Sequence, residues 1–206
     1  MELQEALNQI SQIRRQMARV EVFRGYRAVP VAGSGLLAIV AAGLQAAWIE
    51  KPTERMPEYL ALWLGAAGIS LLWALVEMAR RARRASDPWA KRVTWMALEQ
   101  FLPCLVAGGL LTFALVRSAP GVLWMLPGLW QVLFSLGIFA SIRLLPRATF
   151  WVAVFYMVSG VVGLAMGPGG SALAPWTMGL PFGVGQLLAA AVLYWTLERS
   201  DVETDR

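Results

Sequence analysis

The chain has 206 residues, of which 58% are apolar and 15% charged, with a net charge of +5 and no histidine. Its apolar residues gather into runs near the bilayer-spanning length, which excludes an ordinary soluble domain. The lack of imidazole excludes histidine-ligated haem, most zinc and copper sites and any histidine base; a metal or other cofactor is not expected.

The lone cysteine, Cys104, lies inside an apolar run, so no intramolecular disulfide forms and its expected role is that of a small packing residue. A pI of 10.0 suits a nucleic-acid binder in a soluble protein. Here the basic residues sit between hydrophobic runs and follow membrane topology instead, so no nucleic-acid partner is expected.

Residues 1–25 read as a cytoplasmic amphipathic helix. Leu3, Ala6, Ile10, Ile13, Met17 and Val20 recur at spacings of three and four, the stripe of a helix with one apolar face. Glu2 and Glu5 precede Arg14, Arg15 and Arg19, a polarity that complements the helix dipole. Such a helix lies on lipid headgroups, or pairs subunits or docks a cytoplasmic protein through residues 1–20. No secretory signal pattern opens the sequence.

A six-span domain over residues 26–198 follows, with spans near 28–49, 59–79, 98–117, 121–142, 147–166 and 176–197, and a cytoplasmic tail at 199–206. The expected fold is all-α: a polytopic integral membrane protein of six transmembrane helices plus the N-terminal helix. Between the second and third spans lies a basic island, Arg80, Arg81, Arg83, Arg84, Lys91 and Arg92. It is expected to face the cytoplasm and to meet lipid headgroups or a partner, as are Arg14, Arg15 and Arg19. Lys51, Arg55 and Arg117 are the few cations of the opposite face. This asymmetry predicts the cytoplasmic (inner) membrane with both termini inside.

Within the island, Ser86 or Asp87 before Pro88 is a helix-start signal, so the third helix is expected to begin outside the bilayer. Trp48, Trp63, Trp124 and Trp176 mark the outer aromatic belt and Trp89, Trp95, Trp151 and Trp195 the inner one. Trp73 lies far from both, where packing on another helix is its expected use. Glycine clusters at Gly65 and Gly68, Gly108 and Gly109, Gly160 and Gly163, and Gly183 and Gly185 predict close helix crossings. Spans one and three share scattered features with spans four and six, the order of an inverted repeat.

Ionisable groups are nearly absent from the spans; Glu77 and Glu99 sit at cytoplasmic ends and read as interfacial anchors. Counting from the helix starts puts the neutral Gln131, Tyr156 and Gln186 at one depth. With Ser34 they form the candidate ligand-binding set. Amides of this kind also serve packing alone. No string carries a family signature. The leading expectation is therefore a non-enzymatic membrane subunit or scaffold that contacts lipid, with a homo-oligomer or cytoplasmic protein as partner. The alternative is a small transporter or channel for a neutral or amphiphilic solute; an intramembrane enzyme is the least supported reading, since grouped acids and bases are missing.

Overall fold

The structure, a computed structural model, describes residues 28–84, 88–168 and 170–198. The expected N-terminal helix, with Arg14, Arg15 and Arg19, and the tail at 199–206 lie outside the described residues. Among those described there is no strand, and the α-helices are α1 (Ala28–Trp48), α2 (Met56–Arg84), α3 (Pro88–Ser118), α4 (Leu126–Ala140), α5 (Thr149–Ala165) and α6 (Pro175–Leu193). Short 3-10 turns at Pro120–Met125, Ile142–Leu144 and Gly170–Leu173 join the later helices, and a π turn at Tyr194–Glu198 follows α6.

Local chemistry accounts for the helix ends. Proline opens α3 and α6 and stands in the first turn of α4, where its missing N–H has no intrahelical role. At the end of α5, Gly167 adopts φ 73°, the left-handed cap conformation that L side chains resist, and Pro168 follows it.

Five stretches are long and apolar enough to cross a membrane: Ala28–Trp48, Met56–Arg80, Glu99–Ser118, Pro120–Ala140 and Pro175–Thr196. The sixth expected span is shorter. The turn at Ile142–Leu144 and Pro146 hold the chain out of α5 until Thr149, leaving a helix of 17 residues, about 25 Å by helical rise.

Two crossings make the core. α1 packs most extensively on α6, and α4 on α5. At the first, Gly35 and Ala38 of α1 meet Gly179 and Gly183 of α6; a Cβ on Gly35 would stand 3.0 Å from the Gly183 carbonyl oxygen. At the second, a Cβ on Gly128 would come within 2.7 Å of the Gly160 oxygen, and one on Gly160 within 2.8 Å of the Gly128 oxygen. Only residues without a side chain let the two backbones approach so closely.

α2 leans on α1, and α3 on α4, while α2 and α3 touch each other sparsely. Trp73 does pack on a neighbouring helix: its ring covers Gly33, where a Cβ would overlap it. By contrast Gly65, Gly68 and Gly109 face open space, so these expected crossing points have no helix against them. Their smallness marks no contact among the described residues.

Gly160→Leu should therefore destabilise the protein by about 1–3 kcal/mol, the usual cost of overpacking. Gly65→Leu should stay within about 0.5 kcal/mol, as at an unconstrained surface position. Thermal melting in detergent compares the two.

Candidate functional site

The buried polar groups concentrate where the chain passes from α5 to α6. This connection turns into one end of the bundle: Ala172 is 2% exposed and Leu173 is fully buried. Backbone carbonyls taken away from water need donors, and side chains from other helices supply them. Gln45 of α1 donates from Nε2 to the Leu173 oxygen at 2.7 Å and accepts at Oε1 from Trp63 Nε1 of α2 at 2.8 Å. Gln131 of α4 donates from Nε2 to the Thr177 oxygen at 2.8 Å. The Thr177 hydroxyl turns back to the Ala174 oxygen at 2.6 Å, with the Ala172 oxygen at 3.1 Å.

Below this junction the core becomes aromatic. Tyr156 is fully buried, its ring 4.9 Å from Phe134, 5.3 Å from Phe182 and 5.8 Å from Phe155, mostly edge to face. Gly185 gives it room on α6, since a Cβ there would lie 2.6 Å from the ring. Beside it, Ser135 Oγ donates to the Ala153 oxygen at 2.7 Å and ties α4 to α5. Tyr59 Oη, Gln131 Oε1, Tyr156 Oη, Ser141 Oγ and Thr149 Oγ1 are buried without a hydrogen-bond partner among the described residues.

Of the expected ligand-binding residues, Gln131 and Tyr156 lie in the buried interior, whereas Gln186 and Ser34 are half-buried near the α1–α6 crossing. Ser34 Oγ donates to the Val31 oxygen of its own helix at 2.7 Å. Gln186 faces α1, its Cβ 3.1 Å from the place a Gly35 Cβ would take. The equal depth expected for the two glutamines does not hold. Gln131 meets α6 at Thr177, nine residues before Gln186 (186 − 177 = 9), about 13 Å along the helix. Counting from the start of α6 misplaces the level because that start is itself tucked inside the bundle.

Gln45 and Tyr59 escaped the sequence reading, and Trp63 was given another role. Gln45 carried the same signal as Gln131, an amide within an apolar run. Trp63, expected in the outer aromatic belt, is 3% exposed and turned inward to Gln45. Trp48, Trp151, Trp176 and Trp195 are exposed near helix ends, as belt residues are.

In the basic island Arg80 and Arg83 are exposed; the side chains of Arg81, Arg84, Lys91 and Arg92 lie outside those described. Glu99 is exposed, and Glu77 is half-buried and engaged in an interaction. Among the described residues no three His, Cys, Asp or Glu side chains come together as a metal-holding group. The side chains that do converge are amides, hydroxyls, indoles and phenols, suited to holding backbone and neutral polar groups. Comparisons with known family models, curated proteins and solved structures find no match to this chain.

Removing the Gln45 amide strands both the Leu173 carbonyl and the Trp63 indole N–H. Gln45→Leu should cost about 1–3 kcal/mol, the range for a buried group left unsatisfied. Gln186→Leu should change stability far less. Denaturation in mixed micelles measures both.

Proposed function

We propose that the chain is a non-enzymatic membrane subunit or scaffold. Its packed core of α1, α4, α5 and α6 holds the α2–α3 hairpin towards lipid and a cytoplasmic partner. One observation carries this reading, the uneven burial of the spans. In the most apolar stretch of Met56–Arg80 11% of the residues are buried and in that of Glu99–Ser118 6%, against 44% in those of Pro120–Ala140 and Pro175–Thr196. Two helices of 29 and 31 residues also exceed the roughly 20 that a bilayer requires. Their joined ends, which bear the basic island, then reach the headgroup region or pass it.

In this reading α5 completes six spans. Its 17 residues match the lower end of the spanning range, with modest thinning or flanking-residue snorkelling. The excess of lysine and arginine at residues 80–92 supports an inner-membrane protein with both termini in the cytoplasm. The stripe of residues 3–20 gives such a subunit a natural contact for a second copy or a cytoplasmic protein.

A second reading, passage of a neutral or amphiphilic solute, is favoured by the buried, unpartnered Gln131 Oε1 and Tyr156 Oη. Against it stand the different levels of the two glutamines and the aromatic packing around Tyr156.

Deleting residues 1–20 should leave the bundle inserted and shift the size of the complex extracted from the membrane. An unchanged complex argues against the scaffold reading. In liposomes the intact protein should give no solute flux above empty vesicles; flux lost in Gln131→Leu would instead establish transport.

A further inference from the structure

The inner half of α2 has an unusual surface. Every residue from 71 to 76 is exposed, and six consecutive positions at about 100° each sample the whole helix circumference. Here α2 stands off its own bundle on most sides, tethered at one end by the buried Tyr59 and Trp63 and further along by Trp73 over Gly33. One stripe of this helix is ordered. Ile69, Leu72, Val76, Arg80 and Arg83 follow at spacings of three and four, and all are exposed, so they share one face. Gly65 continues the same line, with nothing within 4 Å of a Cβ placed on it.

From this stripe we infer a binding site for one anionic phospholipid, with the phosphate on Arg80 and Arg83 and an acyl chain along Val76, Leu72 and Ile69 to Gly65. The inference rests on the scaffold reading and names its lipid. The dimensions agree: Val76 to Gly65 is about 16 Å by helical rise, close to half of a hydrocarbon core of about 30 Å. Charge decides against the competing occupant, a second copy of the chain. Copies insert in one orientation, so a self-contact along this stripe would bring Arg80 and Arg83 close to their own counterparts, whereas a phosphate neutralises them. Glu77, beside the stripe, is half-buried and already engaged.

The test uses the full chain in mixed micelles, delipidated and titrated with phosphatidylglycerol or phosphatidylcholine while its melting temperature and lipid-bound mass are followed. Phosphatidylglycerol should half-saturate at a concentration about tenfold lower than phosphatidylcholine and should remain as one bound molecule in native mass spectra. Arg80→Gln/Arg83→Gln, which keeps four of the six island cations, should lose that preference. Lys51→Gln/Arg117→Gln, the same change of net charge elsewhere, should keep it.

Equal half-saturation by the two lipids in the wild type overturns the inference whatever the variants do. So does a preference that survives Arg80→Gln/Arg83→Gln, one lost equally in the control, or a lipid-free dimer in the mass spectrum. Complex size after deletion of residues 1–20 is a separate readout, so the scaffold reading and the lipid site can fail independently.

Discussion

The bundle depends on two places where glycines let helices meet at close range. At Gly128 with Gly160, backbone atoms of opposing helices approach so closely that a Cβ on either would displace them, while at the other crossing a Cβ on Gly35 would press on the Gly183 oxygen and one on Gly183 would meet the Ile39 side chain. In a bilayer, lipid tails compete evenly with apolar side chains for helix surfaces, so close packing and interhelical hydrogen bonds must favour association. These crossings supply the packing. Around them the chain adds ties such as Ser135 to Ala153 and Gln131 to Thr177, each of a kind worth a modest fraction of a kcal/mol on average.

The tight core makes the rest of the architecture intelligible. With α1 committed to α6 and α4 to α5, α2 and α3 each keep one main neighbour, touch each other sparsely and offer most of their remaining faces outward. The α5–α6 connection turns into one end of the bundle, where Gln45 of α1 satisfies the Leu173 carbonyl of its irregular backbone and Gln131 of α4 takes the Thr177 carbonyl in the first turn of α6. The chain thus spends Gln45, Gln131 and Ser135 on holding itself together. Its exposed basic and apolar surfaces lie on the helices the core holds least firmly.

Much of this fold was legible in the residues. Hydrophobic runs located the five helices long and apolar enough to cross a membrane, Pro88 marked the start of α3, and the isolation of Trp73 foretold its packing on another helix. Glycine clusters were half informative: Gly160 and Gly183 sit in crossings, while Gly65, Gly68 and Gly109 do not. Smallness permits contact but does not name a neighbour. The interior site was read in part. Gln131 and Tyr156 stood out as polar groups in apolar surroundings, but Gln45 was passed over, although its surroundings are as apolar. Depth was misjudged because residue counting assumes that helices begin in one plane, and α6 begins inside the bundle.

The central claim is mechanical: a firmly packed core carries a loosely held helix. Distance distributions between paired spin labels in lipid nanodiscs test it most directly, on a Cys104→Ser background with labels at exposed positions. A pair at Leu136 of α4 and Leu188 of α6 reports the core; a pair at Leu72 of α2 and Leu136 reports the arm against it. A narrow distribution for the first and a distinctly broader one for the second is the predicted result, since sparse packing lowers local stability. Equal widths would contradict the account.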